Sequence, residues 1–225
     1  ADFSSLRNAA TQQRLPVSSG REVHSVNAGL YLQDRIALQE RATALCGLRV
    51  DEHDAYGSAV SPKAGVVVQV QDSMRVHASA GRAYRAPSLI ELYQPSIFFG
   101  SVTFESNSEL KPEYISTVDG GVECMVTESL MVRADLFYND MEDLITKQIS
   151  GSTLRYANTD EAWSAGAELG LEWGFLPACS LGLSYTEQQG ENRDTGADLE
   201  HIPERLASLS VRAGETFCDV WLVEA

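Results

Sequence analysis

The sequence predicts an all-β protein, an antiparallel β-barrel that crosses a membrane, of which this chain supplies about ten strands. Three observations predict it: side chains alternate with a period of 2 in segment after segment, one alternating segment is long enough to cross a bilayer, and the connections sort by length.

The clearest alternation spans residues 159–175. One register reads Trp163, Ala165, Ala167, Leu169, Leu171, Trp173 and Phe175, and the other Ala162, Ser164, Gly166, Glu168, Gly170, Glu172 and Gly174. A helix here would enclose Gly166, Gly170 and Gly174 at about 1 kcal/mol each and set Glu168 and Glu172 on its packing face. Trp163 to Trp173 is ten steps, roughly 33 Å of strand at about 3.3 Å per step. Tilted in a barrel, that projects to roughly 25 Å, the height of a lipid-facing band with an aromatic girdle at each rim. Strands of a soluble β-sandwich usually stop at about 5–6 residues.

The other elements follow in order. Residues 25–39 set Val26, Ala28, Leu30, Leu32, Ile36 and Leu38 on one face, with Asp34 the exception. Residues 42–50 return with Cys46, Leu48 and Val50, and a polar loop covers 51–58. Residues 61–70 carry Ala64, Val66, Val68 and Val70, and residues 74–85 carry Met74, Val76, Ala78 and Ala80. A long irregular stretch covers 86–112, followed by strands at 113–126 and 130–148. Strands at 154–175, 179–188, 202–213 and 217–223 complete the chain. Three-residue turns join them on one side; on the other stand mostly long polar loops, residues 150–152 being the tight exception. Outer-membrane barrels sort their connections this way. Residues 1–225 read as a single, incomplete domain. The opening residues lack a start methionine, a basic head and an apolar core, so no signal peptide is expected in this stretch, and the ending falls inside an apolar run, as in a piece of a longer precursor.

Composition bounds the function. The formal net charge is -15, from 17 Lys+Arg against 32 Asp+Glu, which argues against nucleic acid as a partner. No apolar run reaches the roughly 18 residues of a membrane helix, a test to which barrels are invisible. Cys46, Cys124, Cys179 and Cys218 form no CxxC pair, fall on apolar registers, and sit on strands too far apart to bridge, so all four are expected as lipid-facing thiols.

Three segments, in order and spacing, resemble the C-terminal half of the barrel of TonB-dependent outer-membrane receptors. Gly81-Arg82-Ala83-Tyr84-Arg85-Ala86-Pro87-Ser88-Leu89-Ile90-Glu91-Leu92-Tyr93 is similar to that family's Phe-Arg-Ala-Pro box and the exit after it. Asn107-Ser108-Glu109-Leu110-Lys111-Pro112-Glu113 resembles the Asn-Pro-Glu-Leu-Lys-Pro-Glu re-entry, with Ser108 where proline is usual. Phe137-Tyr138-Asn139-Asp140-Met141-Glu142-Asp143-Leu144-Ile145, then Tyr156-Ala157-Asn158, resembles the next hairpin. The resemblance covers roughly residues 25–213. It implies a barrel of about twenty-two strands around an N-terminal plug, in the outer membrane of a Gram-negative bacterium. It also implies binding of a ferric siderophore, cobalamin or similar small chelate, imported with energy delivered by TonB through the plug. The plug is absent from this chain. Haem receptors of the family carry a histidine between the two boxes; none lies between Pro87 and Asn107, which lowers haem as the ligand.

Within that frame the loop of residues 88–111 is the candidate ligand contact. Tyr93, Phe98, Phe99 and Phe104, with Arg82 and Arg85 at its base, suit a ring-bearing anionic chelate through stacking and cation–π contact. The competing reading assigns the aromatics to the outer girdle or to packing of the loop on itself. Arg75, His77, Arg133, Asp135, Glu168 and Glu172 are expected as a polar network on the inner register, or as contacts to the plug. Asp51, Glu52 and Asp54 have the chemistry of a hard-cation site but not EF-hand spacing, so a solvated acidic loop is expected there. No HExxH, GxSxG, P-loop or GxGxxG is present, and neither an enzyme nor a resident cofactor or metal is expected. Two alternatives remain open at this level: a self-contained outer-membrane barrel acting as pore or enzyme, and a soluble β-sandwich binding module.

Overall fold

The computed structural model describes residues 2–16, 22–199, 202–214 and 216–224. The strands are β1 (Asp2–Pro16), β2 (Glu22–Gln39), β3 (Ala42–His53), β4 (Gly57–Gln71), β5 (Met74–Arg85), β6 (Ile97–Phe99), β7 (Val102–Glu105), β8 (Glu113–Thr127), β9 (Leu130–Ser150), β10 (Thr153–Leu176), β11 (Cys179–Asn192), β12 (Arg205–Ala213) and β13 (Thr216–Glu224). One short helix, α1 (Leu89–Tyr93), precedes β6.

All strands but β6 and β7 pair with their sequence neighbours in one antiparallel sheet, β1-β2-β3-β4-β5-β8-β9-β10-β11-β12-β13. This makes eleven strands in the path against the ten expected from the sequence. The extra one is β1, whose Asn8-Ala9-Ala10-Thr11-Gln12-Gln13 core has no alternating apolar register to announce it. The irregular stretch at 86–112 also contains more structure than expected: α1 and the β6–β7 hairpin.

The sheet is a single layer. Leu30, Leu32, Val118, Leu136 and Leu183 are exposed on one face, Leu169 keeps 55% and Trp173 45% of its surface, and among the described residues nothing packs over them. A β-sandwich would bury exactly this register beneath a second sheet, so the soluble alternative does not fit. The four cysteines are free, Cys46 and Cys218 exposed, Cys124 and Cys179 half-buried. Along one rim the strands extend into turns of two residues, at Glu40-Arg41, Asp72-Ser73, Glu128-Ser129 and Pro177-Ala178, one residue tighter than expected.

The opposite face is polar and interlinked. Arg133 donates to Asp135 at 2.5 Å, the His77 Nε2 lies 3.2 Å from the same carboxylate, Ser79 donates to Asp119, and Arg75 donates to Glu123 at 2.7 Å. Of the residues expected in an inner-register network, Arg75, His77, Arg133 and Asp135 take part in this one. It lines a concave face on which Tyr31, Arg49, Lys63, Ser79 and Asp119 border a depression of about 470 Å³. Gly166 makes room on this face: a Cβ there would come within 2.6 Å of the Phe137 ring and of the Glu187 carbonyl.

Candidate ligand-binding rim

The long-loop rim is organised by Arg85. Its position at the end of β5 puts it opposite Glu113, the first residue of β8. Its guanidinium grips Glu113 with two nitrogens and reaches Glu91 of α1 at 3.3 Å. Glu113 in turn accepts the Ile145 N–H at 2.6 Å. α1 forms because Ser88 and Glu91 make a capping box: the Ser88 hydroxyl accepts the Glu91 N–H at 3.3 Å, and Glu91 accepts the Ser88 N–H at 2.6 Å. Leu89 and Leu92 of this helix are buried, as is Leu110 farther along the loop. Burial alone would push the Glu91 carboxyl up, but the Ser88 donors and Arg85 outweigh it and hold it below its ordinary value.

Asparagines fasten the loop to the β9–β10 hairpin. Asn107 donates to the Tyr156 carbonyl at 2.9 Å; Asn158 accepts the Lys111 N–H at 2.8 Å and donates to the Lys111 and Asp143 carbonyls at 3.0 and 2.7 Å. The segments that carry the family resemblance are thus joined physically, the first to the second through Arg85–Glu113 and the second to the third through Asn158.

Between these anchors stands the β6–β7 hairpin. Its two-residue turn is Gly100-Ser101, with Gly100 at φ +62, a value glycine adopts without strain. β7 continues in parallel along Thr153–Arg155 of β10, so a small sheet β6-β7-β10-β9 rises at this rim. Pairing fixes its faces. Ile97 stands opposite Phe104, Phe104 beside Leu154, and Leu154 opposite Ile149, forming one row across four strands, with Phe99 and Val102 on the same side. Phe98 and Thr103 point to the other side.

The residues singled out from sequence therefore divide. Phe99 and Phe104 share a face, Phe99 with 78% of its surface exposed. Phe98, equally bare at 76%, lies on the reverse. Tyr93 is half-buried at the end of α1. Arg85 is engaged by two carboxylates, and Arg82 shares the outward register of Val76 and Ala80, where it donates to Glu142 at 2.5 Å and covers the Tyr114 ring at 4.3 Å. The sequence reading overlooked Ile97, Ile149 and Lys147, which the pairing brings beside Phe104 and Tyr156. A signal for the hairpin was present: two β-prone runs, Ile97-Phe98-Phe99 and Val102-Thr103-Phe104, separated by Gly-Ser.

The neighbouring Asp51, Glu52 and Asp54 do not converge. Asp51 is fully buried and accepts two hydrogen bonds from the half-exposed Arg49, at 2.6 and 2.7 Å, so the solvated loop expected there is in part an ion pair on a buried carboxylate. Asp54 accepts the Val26 N–H at 3.1 Å, and no group of three ligating side chains forms among the described residues. Ser25, His53 and Asp54 fall into a Ser–His–Asp arrangement, with Ser25 Oγ 2.6 Å from His53 Nε2 and His53 Nδ1 3.2 Å from Asp54. The polarity opposes catalysis. His53 Nδ1 accepts the Ala55 N–H at 3.0 Å, so in the neutral ring the proton sits on Nε2, which donates to Ser25 instead of removing its proton. The His53 ring stacks on Tyr56 at 4.0 Å, and burial, reinforced by Tyr84, pushes the Tyr56 phenol well above its ordinary value.

Comparison with known proteins agrees with this architecture. Residues 2–222 match the family model described as TonB dependent receptor-like, beta-barrel. The iron-regulated outer membrane virulence protein of Vibrio cholerae is 26% identical over 209 residues, 84% of this chain and 32% of that protein. The hemin receptor of Yersinia enterocolitica is 24% identical, across 79% of this chain and 31% of its own length. The crystal structure of the siderophore receptor PirA from Acinetobacter baumannii superposes with a TM-score of 0.74 at 20% identity, covering 90% of this chain and 33% of that one. The chain thus spans about a third of the length of these relatives. With its single-layer sheet, lipid-ready outer register and braced long-loop rim, the chain belongs to the TonB-dependent receptor β-barrel family and is an outer-membrane protein of Gram-negative bacteria.

Proposed function

We propose that the protein containing this chain binds a small metal chelate, of ferric-siderophore type, at its long-loop rim and imports it with energy delivered by TonB through a plug domain. The observation that carries this reading is the loop of residues 88–111, braced by Arg85, Asn107 and Asn158 yet displaying bare aromatic side chains to the outside. A loop serving only to seal the barrel would fold Phe99 inward; one held stiff with its rings exposed is pre-organised for a ligand. An iron chelate is favoured over haem because residues 88–106 contain no histidine, while His53 and His77 are occupied by Ser25 and Asp135.

The test uses the full-length receptor. Titration with ferric hydroxamate and ferric catecholate chelates, haem and cobalamin should show saturable binding of a ferric chelate. Uptake of radiolabelled iron into cells should then require TonB. Absence of binding to every chelate in the panel overturns the proposal.

A further inference from the structure

We infer that the rim sheet takes the body of a metal chelate carrying at most one negative charge, and that this wall selects against polyanionic chelates; the inference rests on the receptor function proposed above. Its first support is the face assembled by Ile97, Phe99, Phe104, Leu154 and Ile149. These come from four strands of different sequence position, and the pairing makes them contiguous. Phe99 and Ile149 are among the most exposed apolar side chains of the described residues. Such a face gains by covering area and by dispersion, to which an aryl or alkyl surface responds and a charge does not.

The second support is where the cations have gone. A polyanion needs guanidinium or ammonium groups free to approach it. Arg85 is held by Glu113 and Glu91, and Glu113 is itself committed to the Ile145 amide, so releasing the cation would strand that carboxylate. Arg82 faces outward with Glu142, and its Nε is buried. Arg155 stands beside Glu105 on the reverse face and donates to Asn107. Lys147 alone of these shares the apolar face, 5.5 Å from the Tyr156 ring. One ammonium balances one negative charge. With Lys111 the cation of the loop itself, the carboxylates of Glu105, Glu109 and Asp143 leave the potential at this rim negative, which disfavours a trianion.

The experiment measures Kd of the full-length receptor for a neutral ferric trihydroxamate and for a trianionic ferric tris-catecholate, at about 0.05 and about 0.5 M salt. The inference expects the trihydroxamate to bind about tenfold tighter or better, with little change across the salt range. Phe99→Ala should weaken it about tenfold and Phe98→Ala not measurably, because the two rings occupy opposite faces. Both side chains are exposed, and heat-modifiable migration in gels reports that the variants remain folded. Tighter binding of the tris-catecholate with an affinity that falls steeply in salt overturns the inference and leaves the receptor function standing, as does an equal loss in the two phenylalanine variants. Binding of neither chelate nor of haem or cobalamin overturns both.

Discussion

Arg85 and Glu113 face each other across β5 and β8 and close the mouth of the long loop, one side chain ending the outgoing strand and the other starting the returning one. The chain between them is consequently tied at its base whatever its tip is doing.

Glu113→Leu should open that base. It removes the partner of Arg85 and the acceptor of the Ile145 amide, at a cost of about 1–3 kcal/mol for hydrogen bonds to a charged group. Limited proteolysis should then cut within residues 88–111 far faster, while the melting of the barrel shifts little.

Acid should loosen α1 before it affects the barrel. The Glu91 carboxyl titrates below its ordinary value in the folded loop, so its contribution is present above about 4.5 and is lost as pH falls through the lowered folded value. Pepsin nicking near residues 88–94 should rise across that window, and Glu91→Gln should flatten the dependence.

Gly100→Val should disorder the hairpin tip. The left-handed backbone there costs a non-glycine residue about 1–2 kcal/mol and a β-branched one more, although nothing crowds the site. Gly100→Asn should be tolerated. Hydrogen exchange of the Phe99 and Val102 amides distinguishes the two.

Leu169→Arg and Glu172→Arg test which side of β10 meets lipid. The first should cost about 2–4 kcal/mol in reversible folding into bilayers if it lies near mid-depth, the second much less. Equal costs would contradict the assignment of faces.

Much of this architecture was legible in the sequence because one physical rule, alternation with a period of 2, repeats wherever a strand has lipid on one side and water on the other. Trp163 to Phe175 shows it most plainly. Where that contrast fades the sequence is silent. β1 carries a run of Asn, Ala, Thr and Gln with no alternating apolar register, and β6 and β7 are too short to show a period. The rim was legible as a place and not as a geometry. Aromatic residues in a long loop announce an exposed surface, but only strand pairing reveals that Phe98 and Phe99 diverge, and only the contacts of Glu91, Glu113 and Glu142 reveal that Arg82 and Arg85 are already engaged. Adjacent letters in a strand are opposite in space, and ion pairs between distant residues leave no local trace.

Asn158 touches the re-entry segment and the Asp143 carbonyl at once. Because its fixtures gather at its base and along β7, the tip of the 88–111 segment can be exchanged as a cassette. An engineer exchanging it between barrels should retain Arg85, Asn107, Glu113 and Asn158 as the socket and vary only the hairpin, redirecting cargo choice without rebuilding the wall that holds it.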